Sequence, residues 1–273
     1  MRDFLSLVCA IEYIESNLRG KMTVSDVAAA AFLSASRLQS VFAHVLSVSV
    51  GDYIKKRRLC LAARDLTETE KSVTAIAFDL GYSNAESFSR AFKRQFHAAP
   101  SAYRRASRFS ELYPRLIINE SEGFDMTRRY DLTEISERIL AAKGTYIICA
   151  DIDHMLKINE DFDTSAGDAA IAETAARIGR SIPAGASYFR IGADHFVILT
   201  GSAEPSVAED IAKRIIAFSG DEVAWRGGMF KFSVSMGIVK IPSDTQNAKE
   251  TIETAERLML ATKTERRGGY KLA

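Results

Sequence analysis

Two aspartates and a histidine are the side chains best placed by type to do chemistry in this chain of 273 residues. Asp151 lies near the end of the apolar run GTYIICADID (144–153). Asp194 and His195 sit in RIGADHF (190–196), between the apolar stretches SYF and VIL. The first run has the length and composition of a buried strand, and the second motif reads as the turn of a β-hairpin. Brought together, the two carboxylates suit Mg²⁺, which takes oxygen ligands and is bound through one or two carboxylates plus substrate phosphates. Metal-assisted phosphoryl transfer is the chemistry of such a pair. The plainer alternative is that both are turn aspartates, a residue type that turns favour in any case.

Whether the carboxylates meet depends on the elements around them. GDAAIAETAARIGRSI (167–182) has helical spacing, and ASYFRIG and HFVILT flank the turn as strands. SVAEDIAKRIIAFSG (206–220) is a second helix, MFKFSVSMGIVKI (229–241) alternates as a strand, and NAKETIETAERLMLATKTE (247–265) is a long amphipathic helix. The order β-α-β-β-α-β plus a terminal helix is the ferredoxin-like, α+β pattern. In it the third strand lies between the first two and runs antiparallel to them. The end of the first strand, with Asp151, then stands beside the hairpin that carries Asp194, as in a polymerase-like palm.

The chain is long enough for two domains, and its charge divides the same way. Residues 1–108 hold 16 Lys and Arg against 10 Asp and Glu, a net of +6, and residues 109–273 hold 20 against 25, a net of −5. A basic half suggests a polyanion-binding module. That half is also doubled: residues 24–57 and 73–105 repeat at a shift of 49 to 50, pairing Val27-Ala28 with Ile76-Ala77, Ser34 with Ser83, Phe42 with Phe92 and Tyr53 with Tyr103. Each copy reads as a short helix, a tight turn and a second helix. Thr23 and Ser72 cap the short helices, Ser34 and Ser83 the second ones, and Gly81 supplies a turn. That is an all-α double helix-turn-helix. Between the copies, Val50 to Leu66 has helical spacing and spans about 25 Å at 1.5 Å per residue, enough to hold two recognition helices in successive major grooves. Phe42, Phe88, Phe92 and Phe96 are assigned to the core.

No apolar run approaches the roughly 18 residues of a membrane span, and the acidic N-terminal stretch is unlike a signal peptide. Cys9, Cys60 and Cys149 have neither metal-site nor disulfide spacing. The expectation is a cytoplasmic protein without a membrane partner.

The run GYSNAESFSRAFKRQFHAAPSAYRR (81–105) resembles the C-terminal signature of AraC-type transcription regulators, and the likeness covers about residues 5–107. It implies double-stranded promoter or operator DNA as partner. The base-facing positions would be Ser36, Arg37, Gln39 and Ser40 on the first recognition helix, and Asn84, Glu86, Ser87, Ser89 and Arg90 on the second. Lys55, Lys56, Arg57, Lys93 and Arg94 would neutralise phosphates.

The motifs DIDHMLKIN, AGD, RIGADHF, SMGIV and AERLMLATKTERR resemble a GGDEF domain, the family that makes cyclic di-GMP from two GTP; the likeness covers about residues 130–273. It implies metal ligands at Asp151, Asp194 and the carbonyl of Ile152, guanine readers at Asn159 and Asp168, and triphosphate cations at Lys263 and Arg267. The signature itself departs from the pattern. It reads Gly192, Ala193, Asp194, His195, Phe196, with Ala for the second Gly and His for Glu. Leu156 replaces a phosphate-side Lys that Lys157 would have to supply, Asp163-Thr164 replaces Gly-His, and the Arg-x-x-Asp inhibition motif is absent at Pro183 to Ala186.

The expected architecture is therefore a DNA-binding domain over 1–108, a linker over 109–129 and a degenerate GGDEF-like domain over 130–273. The expected function is a transcription regulator, with no catalysis, whose second domain senses GTP or cyclic di-GMP, with Mg²⁺ only as the companion of a bound nucleotide. The alternatives are a constitutive regulator whose second domain only dimerises or scaffolds, and an active cyclase tethered to DNA. A homodimer is compatible with all three.

Overall fold

A computed structural model of the chain describes residues 2–46, 48–106, 109–120 and 126–273. The chain divides into two compact units, Met1–Arg105 with Tyr113–Asp131, and Ala106–Leu112 with Leu132–Ala273.

The first unit opens with α1 (Arg2–Ser16), α2 (Val24–Ala30) and α3 (Ala35–Val41), which runs on into a π-helical turn over Phe42–Leu46. It continues through α4 (Val50–Glu68), α5 (Val73–Asp79), α6 (Ala85–Phe96) and α7 (Pro100–Ala106). The caps explain where these short helices start. Thr23 Oγ1 accepts from the Asp26 amide at 3.2 Å while Asp26 Oδ2 accepts from the Thr23 amide at 2.8 Å, a reciprocal capping box. Ser34 and Ser72 accept from Arg37 and Ala75 amides at 3.2 and 3.1 Å. On α6 the cap is Asn84, whose Oδ1 accepts from the Ser87 amide at 2.8 Å, and not the expected Ser83. The second turn is one residue longer than the first, which is why the repeat shifts from 49 to 50 there. Phe42 lies edge-on to Tyr53 at 6.1 Å, and Phe88, Phe92, Phe96 and Tyr103 form a chain of ring contacts. All four expected core phenylalanines are buried.

The stretch read as a linker carries regular structure. β1 (Ser110–Glu111) belongs to the second unit; β2 (Leu116–Glu120) and β3 (Met126–Tyr130) form an antiparallel hairpin in the first, in register from Leu116↔Tyr130 to Glu120↔Met126. Leu116 joins the core of the helical unit. Charges and Pro114 interrupt any alternation in this segment, so periodicity missed it.

The second unit adds α8 (Thr133–Ala141), β4 (Tyr146–Ile152), α9 (Met155–Asp161), α10 (Thr164–Ser181), β5 (Ser187–Arg190), β6 (His195–Leu199) and α11 (Pro205–Ala217). The hairpin β7 (Val223–Trp225) and β8 (Gly228–Phe230) follows, then β9 (Val234–Lys240), α12 (Ala248–Glu265) and β10 (Tyr270–Leu272). The main sheet has the order β1-β5-β6-β4-β9-β10. Its four central strands have the expected ferredoxin-like arrangement, with β6 antiparallel between β5 and β4. Asp151 consequently faces His195 on one side and Ser235 on the other. α12 packs on this sheet through Ile252, Ala255 and Met259. Among the described residues no helix is long and apolar enough to cross a membrane.

Candidate functional site

Ser36, Arg37, Gln39 and Ser40 are exposed on α3; Glu86 and Arg90 are exposed on α6, with Ser87 and Ser89 half-buried. Asn84 is exposed but its carbonyl oxygen is committed to capping, which leaves only its amide nitrogen to meet a base. Lys93 and Arg94 are exposed in the last turn of α6, and Lys55 is half-exposed on α4.

Arg57 is a correction. It is 7% exposed, pairs with Glu15 at two points (Nε to Oε1 2.9 Å, Nη2 to Oε2 3.0 Å) and donates to the Tyr113 carbonyl at 2.6 Å. Tyr53 Oη also donates to Glu15, at 2.8 Å, and accepts from the Leu116 amide at 3.3 Å. Burial works against the guanidinium charge, and the Glu15 carboxylate outweighs it, so the Arg57 pKa is raised. This side chain holds the β2–β3 hairpin segment, not a phosphate. Its spacing carried the signal: four residues after Tyr53, Arg57 falls on the buried face of α4. Lys56 also turns to the hairpin segment, its ammonium 4.5 Å from the Tyr113 ring centre.

In the second unit the topology brings Asp151, Asp194 and His195 to one sheet edge. One ligand atom from each lies within 4.8 Å of the others. The Ile152 amide donates to the Asp194 carbonyl at 3.3 Å. Asp151 is 3% exposed, and both its carboxylate oxygens are engaged: Oδ1 accepts from Lys263 Nζ and Oδ2 from His195 Nε2. The hydrogen bond to Asp151 raises the His195 pKa. Burial, then the nearby Asp151 charge, raises that of Asp194. Mg²⁺ prefers a shell of oxygens. Here an imidazole stands where the family pattern has a carboxylate, and Lys263 sits on the main carboxylate. With His195 and Lys263 both on Asp151, this donor set matches that shell less well than two carboxylates alone.

Sequence reasoning passed over the residues that hold this corner. Arg190, 8% exposed, donates to the carbonyls of Gly192 and Ala193 at 3.0 and 2.6 Å and so clamps the signature turn. Asp153, 2% exposed, accepts from Ser233 Oγ at 2.6 Å, Ser235 Oγ at 2.8 Å and the Gly268 amide at 3.1 Å. That last bond fixes the chain next to Arg267, which is exposed just beyond α12. The signal for Asp153 was a second carboxylate one residue beyond the strand.

Asn159 on α9 lies over Gly167 of α10, the residue before Asp168, where a Cβ would run into its Oδ1. Asn159 is half-buried and Asp168 exposed. Leu156 is 71% exposed. Lys157 lines a hollow of about 420 Å³ with His154, Asp161 and Lys231, among whose lining residues Asp151, Asp194 and His195 do not appear. Asp163 caps α10, accepting from the Ser165 and Ala166 amides at 2.7 and 3.0 Å, which gives the Asp-Thr pair a structural task.

Comparison with known proteins follows the same division. The family model described as "Helix-turn-helix domain" matches residues 27–106, and that described as "Diguanylate cyclase, GGDEF domain" matches residues 127–269. Regulatory protein SoxS of Escherichia coli (strain K12) is 42% identical over 94 residues, 34% of this chain and 88% of SoxS. The HTH-type regulator YkgA of the same organism is 34% identical over 114 residues, 41% of this chain, which spans about half (48%) of YkgA. The GGDEF domain of YfiN from Pseudomonas aeruginosa aligns with a TM-score of 0.47 at 25% identity, over 51% of this chain and 85% of that one. The GGDEF domain of DgcB from Caulobacter crescentus, solved with c-di-GMP, aligns with a TM-score of 0.45 at 24% identity, over 51% and 86%. The chain belongs to the GGDEF family and carries, ahead of its GGDEF domain, a DNA-binding helix-turn-helix region of the AraC type.

Proposed function

We propose that this protein is a DNA-binding transcription regulator whose GGDEF domain holds a guanine nucleotide without converting it to cyclic di-GMP. The observation that carries the reading is the state of Asp151. A carboxylate needed for metal-assisted attack has both oxygens taken by cationic or proton-donating groups of its own chain, and one of them, His195, stands in place of the signature Glu. Catalysis requires placed charge that stabilises the transition state more than the ground state, and this corner has exchanged a negative group for a basic one. Binding is less demanding. Asn159, which lies over Gly167, and Asp168, the next residue, offer donors and acceptors suited to a guanine edge, and neither is engaged by another side chain among the described residues. Lys263 and Arg267 offer cations near the phosphate end. A nucleotide that draws Lys263 from Asp151 would alter the sheet edge and, through a shift in conformational equilibrium, DNA affinity.

The test is calorimetric titration of the full chain with GTP, cyclic di-GMP and ATP, alongside a mass-spectrometric search for cyclic di-GMP formed from GTP. Guanine-selective binding that is lost in Asp168→Ala, with no product formed, is the expected result. Product formation would establish a cyclase instead, and no binding at millimolar ligand would leave the domain a scaffold.

A further inference from the structure

We infer that the corner formed by Asp151, Asp194 and His195 is a binding site for a transition-metal dication of the Zn²⁺ class, with His195 Nε2 as a ligand, and that it discriminates against Mg²⁺. The new elements are the histidine ligand and the class of cation. The inference stands apart from the nucleotide reading, since it concerns the metal alone.

The geometry is set by the sheet. Asp151 and His195 are directly opposite one another on β4 and β6, a placement that brings Cβ atoms to about 4.5–5.5 Å. Asp194 precedes His195 in a turn pinned from two sides. The Ile191 amide donates to the His195 carbonyl at 2.9 Å, and Arg190 holds the carbonyls of Gly192 and Ala193. The hairpin also makes room for the ring. A Cβ at Gly192 would stand 2.8 Å from His195 Nδ1 and 3.3 Å from Cγ, so only glycine lets the imidazole lie across this position. With Nδ1 over Gly192 and 4.0 Å from Asp194 Oδ1, Nε2 is the nitrogen turned to Asp151.

The donor chemistry selects the ion. Two carboxylate oxygens and one imidazole nitrogen supply three protein ligands and leave a fourth position open, the arrangement of open tetrahedral zinc sites, with bonds of about 2.0–2.2 Å. Such bonds place ligand atoms about 3.3–3.6 Å apart; the three ligand atoms now lie within 4.8 Å of one another, so an ion would part the Asp151–His195 contact and draw Asp194 in. Imidazole suits Zn²⁺, Co²⁺ and Ni²⁺, whereas Mg²⁺ demands oxygen in a near-ideal octahedron. A dication seated between His195 Nε2 and Asp151 takes over Oδ2, the oxygen now held by His195, while Lys263 stays on Oδ1.

The experiment uses the chelator-treated full chain, with metal content measured by elemental analysis after equilibrium dialysis and Co²⁺ used as a spectroscopic probe. The expected result is one tightly held Zn²⁺ or Co²⁺ per chain and visible Co²⁺ bands of mixed nitrogen and oxygen ligation. Neither should be displaced by millimolar Mg²⁺. His195→Glu, which restores the family's own residue, should weaken Zn²⁺ by at least about tenfold and strengthen Mg²⁺ binding. Asp194→Asn should weaken Zn²⁺ while leaving the circular dichroism spectrum unchanged. His154→Ala should change nothing. Zn²⁺ binding that survives both His195→Glu and Asp194→Asn would assign the ion to other histidines or cysteines and overturn the inference, as would displacement by Mg²⁺.

Discussion

Glu15 on α1 and Arg57 on α4 meet at two points, at 2.9 and 3.0 Å, with their side chains 11% and 8% exposed. The pair joins the first helix to the helix between the two recognition units, and the Tyr113 carbonyl completes it. Removing one member of a buried pair strands the other charge. Glu15→Ala should therefore destabilise the protein by about 3 kcal/mol, read as a lower urea midpoint. Arg57→Met should cost less than Arg57→Ala, because it keeps the stem's packing. A Glu15→Ala protein as stable as the parent would show the pair to be idle.

The same assignment divides the basic residues by their effect on DNA. Lys93→Ala should reduce the salt slope of binding to a promoter fragment by about one unit in log K against log salt. Arg57→Met should leave that slope unchanged. Arg37→Ala and Arg90→Ala should relax sequence preference by about 1–3 kcal/mol at one base position each. Fluorescence anisotropy across a range of KCl reads all four, and a slope lowered by Arg57→Met would return that residue to the phosphate set.

Phe32 occupies the turn of the first helix-turn-helix with φ of 56°, where the second copy has Gly81 at 75°. It is 84% exposed, so its ring contributes little burial. A non-glycine residue in the left-handed region is strained by roughly 1–2 kcal/mol. Phe32→Gly should raise stability by about 0.5–1 kcal/mol once glycine's greater freedom in the unfolded chain is set against that relief. A fall in thermal midpoint would mean that the ring makes a contact that offsets the strain.

The capping box on α2 has a titration signature. Hydrogen bonds from the Thr23 amide and hydroxyl hold the Asp26 carboxyl below its ordinary value. A depressed folded-state pKa stabilises above the unfolded value, and that contribution is lost as pH falls through the folded pKa. Thr23→Ala removes the hydroxyl bond, so the Asp26 pKa should rise toward its ordinary value and the acid loss of stability should shrink. Carbon-detected NMR titration of the carboxyl resolves this, and an unmoved pKa would show that the amide alone sets it.

Much of this molecule was legible in its residues. The 49-to-50 shift located both helix-turn-helix units because each copy must bury the same face. The β-α-β-β-α-β order located Asp151 beside the hairpin because the third strand has only one place to insert. What escaped were features decided by tertiary partners. Arg57 reads as a surface cation until Glu15, distant in sequence, is seen opposite it. Lys263 reads as a phosphate ligand, and only the assembled sheet edge shows Asp151 as its partner in this structure. Edge strands of two or three residues, β1 and β10, are too short to carry a period, and both pair parallel to the strands beside them.

The path of the chain after α7 has a practical meaning. Residues 106–112 are built into the second unit, where β1 lines up with β5; residues 113–131 return to the first, where Tyr113 and Leu116 meet Arg57 and Tyr53; only from Leu132 does the chain stay with the second. The chain passes between the units three times. No single cut yields both intact: scission at 108 strips the helical unit of its hairpin, and scission at 131 takes an edge strand from the sheet. A fragment meant to keep the helical hairpin and one meant to keep the sheet's edge strand must therefore overlap over residues 106–131.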